Sequence, residues 1–200
     1  MITSFSGVAG IARLWVLLSW FAWLLLFLGR EKPAKEAAVR RDPFSRAGIV
    51  LQGLSFFPPW WLRTEMFPAS ALPMPFLWLS SLLAMLLATG AVWMAVAARR
   101  ELGKQWSYEA RLVEGHRLVV GGPYSHVRHP IYSAMLGMLL ATGLAFSVWW
   151  ALLIAVPIYA LGTAIRVRAE ERLLHEAFGE DYEAYRQYVP AVIPRWNARS

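Results

Sequence analysis

Along the chain, long apolar runs alternate with short polar segments rich in basic residues. The first run, residues 1–28, carries a single charge, Arg13. Its core "LWVLLSWFAWLLLFLG" is long enough, at about 1.5 Å per residue, to cross most of a bilayer. Further runs occupy residues 49–62, 76–98, 131–146 and 148–165, so the pattern predicts about five membrane helices. The second run is short and ends in Pro58 and Pro59, which predicts a broken or re-entrant segment. The last two runs meet at Phe146 and Ser147 with almost no loop, predicting a helical hairpin over 130–165. Beyond Ile165 the apolar run gives way to a polar helix on which Leu174, Phe178, Tyr182, Tyr185 and Val189 recur at roughly helical spacing, with Gly179 as an interruption.

Composition strengthens this reading. With 58% hydrophobic residues, 11 Trp and 16% charged residues, the chain is not an ordinary soluble globule. It has no cysteine, which excludes disulfides, thiolate nucleophiles and Cys-ligated metal. The net charge of +7 does not form one polar face, so the expected counterpart is an anionic lipid headgroup and not nucleic acid. The 20 Lys and Arg fall as one in the first run, six at 30–46, one at 63, six at 99–128 and six from 166 onward. By the positive-inside rule the loops 30–48 and 99–129 and the C-terminal tail are cytoplasmic, and the N-terminus is outside. Trp60, Trp61, Trp78, Trp149 and Trp150 then gather at the opposite interface as an aromatic belt. The chain divides into N-terminal membrane helices (1–98) and a C-terminal region (99–200) made of a loop, the hairpin and a tail. No soluble second domain is recognisable.

Polar chemistry concentrates in that second part. In "EGHRLVVGGPYSHVRHPIYSAML", a short β-like run at 116–120 precedes a Gly121-Gly122-Pro123 turn. Pro130 suits the first position of a helix, whose N-terminal N–H groups favour a carboxylate or phosphate. Arg128 adds a bidentate donor for such an anion. The same residues also suit plain interfacial anchoring by Tyr124, Tyr132 and the basic side chains. His116, His126 and His129 lack one-face spacing and a carboxylate among them, so no metal site is expected. Glu170 and Glu171 lie about one turn past Ile165, where a carboxylate is costly unless paired or functional. They either pair with Arg166 and Arg168 along the helix or serve a site.

Taken in order, "LGKQWS", then "EGHRLVVGGPYSHVRHPIYSAMLG", a helical hairpin, and "RAEERLLHEAFGEDYEAYRQYVPAVIPR" resemble the isoprenylcysteine carboxyl methyltransferase family, with related phospholipid methyltransferases sharing parts of the pattern. The resemblance covers residues 102–195. It implies an all-α integral membrane enzyme that moves a methyl group from S-adenosylmethionine, in a cytoplasmic cofactor pocket, to the carboxylate of a lipophilic or prenylated acceptor. It further implies that His116, Leu118 and Val119 meet the adenosine portion, that Gly122, Tyr124, His129 and Tyr132 shape the pocket, and that Glu170 and Glu171 close it. Arg128 and Glu171 are the candidate catalytic residues, Arg128 orienting a carboxylate. Methylation of a phospholipid or other small lipophilic amine, and a non-catalytic membrane scaffold, are the alternative readings.

Overall fold

The structure is a computed structural model and describes residues 6–28, 40–41, 45–62, 73–103, 111–112, 117–147 and 149–195. Four helices follow the apolar runs: α1 (Ser6–Leu28), α4 (Met74–Leu102), α5 (Pro130–Phe146) and α6 (Trp149–Tyr188). Of these, α1, α4 and α6 are long and apolar enough to cross a membrane, whereas α5 has 17 residues, about 25 Å of helix. Leu17, Leu18, Phe21 and Leu25 of α1 stay exposed, as expected of a helix surrounded by hydrocarbon.

What holds the helices together is mostly small side chains. Ala84, Ala88, Ala91 and Ala95 make a buried row on α4 that meets Ala134, Met138 and Ala141 of α5. A Cβ on Gly137 would lie 3.2 Å from that of Ala91, so the two backbones approach closely. In lipid, where hydrophobic burial gives no net drive between helices, such close approach recovers the missing attraction through dispersion.

The second apolar run is indeed interrupted. It forms α2 (Ser45–Leu54) and α3 (Phe57–Trp61), separated at Ser55 and Phe56, with Pro58 in the first turn of α3. Helix α2 begins four residues earlier than the apolar pattern predicts and packs along α6. The break in α6 falls at Gly179, which adopts φ +50°. Pro157 sits inside the helix without ending it.

One feature departs from an all-helical expectation. Arg40–Arg41 (β1) and Arg111–Leu112 (β2) form an antiparallel ladder, Arg40 opposite Leu112 and Arg41 opposite Arg111. It joins the two basic loops, which therefore lie on the same side of the helices. By contrast, residues 117–120, expected as part of a β-like run, form no strand; among the described residues the only ladder pairs backbone earlier in the loop.

The two ends of the bundle are distinct. Arg13 Nε donates to the Ala145 carbonyl (3.1 Å), Trp20 Nε1 donates to Thr142 Oγ1 (3.0 Å), and the Trp60 ring lies 4.9 Å from that of Phe146. The start of α1, α3 and the α5–α6 turn thus share one end. Trp61, Trp78 and Trp149 are exposed near it. The start of α5 and the polar continuation of α6 form the other end.

Candidate functional site

The second end is built by short-range sequence logic first. Gly122 (φ +54°) turns the chain into a single 3-10 turn, Gly122–Ser125, which buries Tyr124. Pro130 then occupies the first turn of α5, with His129 as the residue before it. This fixes Arg128, His129 and Tyr132 at the mouth of the hairpin. Glu170 and Glu171 approach from α6, just beyond the apolar stretch that ends at Ile165.

Between the two walls runs a chain of charges. Arg128 donates through Nε (3.0 Å) and NH2 (2.6 Å) to Glu171 Oε1. His129 bridges both carboxylates, Nε2 lying 3.3 Å from Glu171 Oε1 and Nδ1 3.2 Å from Glu170 Oε2. Arg166 NH2 lies 3.3 Å from Glu170 Oε1, and the Tyr132 hydroxyl donates to the same oxygen. The His129 and Tyr132 rings stack with centroids 5.5 Å apart, and the Arg166 guanidinium sits 5.0 Å above the Tyr132 ring. His129 and Arg166 are both buried.

The protonation state follows from this arrangement. Burial works against a charge on His129, but hydrogen bonds to Glu170 and Glu171 and their negative charges outweigh it and raise its pKa above the usual imidazole value. Burial likewise pushes Glu171 up, yet hydrogen bonds from His129 and Arg128 and the guanidinium charge pull it down to about 2. Glu170 is lowered against its own burial by His129 and Arg166. Each ring nitrogen of His129 lies within hydrogen-bonding distance of a carboxylate, an arrangement that favours its protonated form.

A strap from the tail completes the wall. The N–H of Arg128 donates to Pro190 O (2.8 Å) and that of His129 to Ala191 O (2.9 Å). Arg128 NH1 reaches the carbonyls of Arg186 (3.1 Å) and Val189, and Ser133 Oγ donates to Val192 O. Tyr185 OH donates to Tyr124 O (2.6 Å), and Tyr182 is fully buried beside Glu171 and Arg128. The backbone donors preceding α5, expected to face an anion, are thus engaged by the chain's own carbonyls.

The structure brings together Arg128, His129, Tyr132, Glu170 and Glu171, with Tyr124 and Gly122 alongside. Leu118 and Val119 are half-buried in the extended approach to the turn. His126 points outward against Ser125 Oγ (2.9 Å), and His116 lies outside the described residues. Two residues escaped sequence reasoning. Arg166 reads as helical support for Glu170, although its position one residue past the apolar run could have marked it. Glu101, near the end of α4, places a carboxylate oxygen 2.7 Å from where a Cβ on Gly121 would stand and 3.2 Å from one on Gly122. Only the tertiary approach of α4 to the turn reveals it.

A match to a known family covers this same region. The family model described as phospholipid methyltransferase matches residues 79–181, from within α4 to just past Gly179. The chain is 34% identical over 92 residues to protein-S-isoprenylcysteine O-methyltransferase B of Arabidopsis thaliana, covering 42% of this chain and 43% of that protein. It is 34% identical over 79 residues to protein-S-isoprenylcysteine O-methyltransferase of Schizosaccharomyces pombe, covering 40% of this chain and 34% of the relative. The chain spans less than half the length of the curated relatives it matches.

Proposed function

Because the chain belongs to the phospholipid methyltransferase family, we propose that it is an integral membrane methyltransferase that esterifies the carboxylate of a lipophilic, isoprenylcysteine-like acceptor with a methyl group from S-adenosylmethionine. The observation that carries this reading is the cluster of Arg128, His129, Arg166, Glu170 and Glu171 at the mouth of the hairpin, inside the matched region.

The donor set fits that cofactor, whose sulfonium and ammonium suit carboxylates and whose own carboxylate suits cations. The charges of Glu101 and Glu170 both bear on Tyr124, and the glycine turn leaves no side chain between Glu101 and the backbone. Leu118 and Val119 line the adenosine end; His116, which the resemblance assigns to the same end, lies outside the described residues. Gly122, Tyr124, His129 and Tyr132 shape the pocket. When bound, the cofactor supplies an electrophilic methyl group on a positively charged sulfur. The chain's residues then hold the acceptor in line, an effect that can supply up to about 7–11 kcal/mol.

Charge favours a carboxylate acceptor over an amine. Three basic side chains, Arg128, His129 and Arg166, surround Glu170 and Glu171, and such a set suits an anionic acceptor better than a cationic one. A carboxylate is already ionised at neutral pH, and its methylation neutralises both reactants without a proton transfer. An amine would need a base, and His129, whose protonated form is favoured by both glutamates, is poorly suited to that task. Arg128 acts here by holding Glu171 and the tail strap in place. The cytoplasmic placement of the site follows from the positive-inside distribution, with the N-terminus outside.

Calorimetric titration of the purified protein with S-adenosylhomocysteine tests the assignment. Wild type binds, and Glu171→Gln and Arg128→Ala weaken binding; absence of wild-type binding would sink the methyltransferase reading. Labelled cofactor supplied with prenylated thiol carboxylates or with amine lipids then decides the acceptor, and transfer to the amine lipid alone would replace it with N-methylation.

A further inference from the structure

Helix α2 lies outside the residues matched by the family model, yet it reaches the site through one side chain. A Cβ on Gly48 would stand 2.5 Å from Arg166 Cγ and 2.7 Å from the Gly162 carbonyl. A Cβ on Gly162 would meet the backbone N of Gln52, the Gly48 carbonyl and Leu51 Cβ, each at 2.9 Å. One turn along, buried Gln52 Nε2 donates to Thr163 Oγ1 (2.9 Å), fixing the register of α2 on α6. Arg166, confined by this contact, leaves the helix toward Glu170 and the Tyr132 ring.

From this geometry we infer that α2 is a positioning element of the site: bare backbone at Gly48, held in register by Gln52, sets the path of the Arg166 side chain and so the share of Glu170 left to His129. Three features support it. The contact is backbone against a side-chain stem, so even one methyl group requires movement. Arg166 and His129 bind different oxygens of the same carboxylate, so displacing one cation changes the field at the other. Gly53, on the same helix, would have nothing within 4 Å of an added Cβ and is thus independent of Arg166.

The inference rests on the proposed function only for its effect on ligand binding, and one readout is free of that dependence. In histidine-labelled protein, the His129 resonance, assigned by His129→Gln, titrates under the influence of Glu170 and Glu171 from α6, Arg128 beside it, Tyr132 on α5 and Arg166 behind Glu170. Gly48→Ala moves its midpoint upward by roughly half a unit or more as Arg166 withdraws from Glu170. Gln52→Leu, which retains an apolar fit, moves it in the same direction by less, and Gly53→Ala leaves it in place. In an Arg166→Gln background, Gly48→Ala produces no further shift, because the residue it acts through is gone. S-adenosylhomocysteine affinity falls about tenfold in Gly48→Ala and not in Gly53→Ala. Unchanged titration in folded Gly48→Ala and Gln52→Leu, or an equal shift with and without Arg166, would overturn the inference. A titration shift in a protein that does not bind S-adenosylhomocysteine would uphold the positioning role and overturn the methyltransferase reading.

Discussion

The two ends of the α5–α6 hairpin are made by the same pair of helices and solve opposite problems. At the turn, Trp60 packs on Phe146 and Leu152 lies against Gly143, while Arg13 and Thr142 each take part in a hydrogen bond across the bundle. At the mouth, polar groups dominate, and Glu170 and Glu171 each serve two or three donors. The difference teaches where each kind of energy resides. Dispersion and shape fix the turn, while a shared set of charges, costly to bury unless mutually satisfied, fixes the mouth.

Substitutions at the two ends should therefore fail differently. Arg128→Ala has the largest expected effect: it strands Glu171 and the strap carbonyls, lowering unfolding free energy in detergent by about 3 kcal/mol and weakening S-adenosylhomocysteine binding. Gly143→Val drives a side chain into Leu152 and costs about 1–3 kcal/mol by overpacking, with ligand affinity retained. A Gly143 variant that lost affinity while keeping stability would dissolve the contrast.

pH gives a subtler test. His129 has a raised pKa in the folded state, so its contribution is full below about 6.5, the unfolded value, and is lost as pH rises through the higher folded value. Glu171, lowered to about 2, contributes above about 4.5 and loses that contribution as pH falls toward about 2. The free energy of unfolding measured across pH should decline on both sides, and His129→Gln should flatten the alkaline limb. The smallest effect is at the turn, where Trp20→Phe removes the bond to Thr142 and costs about 0.5–1.5 kcal/mol with no change in the pH profile.

The helices were legible because lipid-facing sequence is unambiguous: Pro130, the Phe146–Ser147 turn and Gly179 all mark boundaries that the structure keeps. Arg128, His129, Tyr132, Glu170 and Glu171 could be picked out by residue type, and the fold brings them together. Their pairing could not be read, because it depends on a contact across some forty positions. Arg166 was masked by a spacing that also explains an ordinary helical ion pair. The β1–β2 ladder, the strap and the Gly48 contact left no trace in local pattern, since each joins backbone or near-backbone groups whose side chains carry no periodic signal.

The strap has a consequence for how the protein is made. Residues 189–192 leave the ribosome after every apolar run has been synthesised, yet their carbonyls hold Arg128 and His129. Membrane insertion and assembly of the charged cluster are thus separate events in time. A nascent chain halted before residue 189 would already contain α1, α4, α5 and α6 and still lack the carbonyls that orient Arg128. On the proposed function, ligand binding is then expected to lag behind protease protection during synthesis into vesicles.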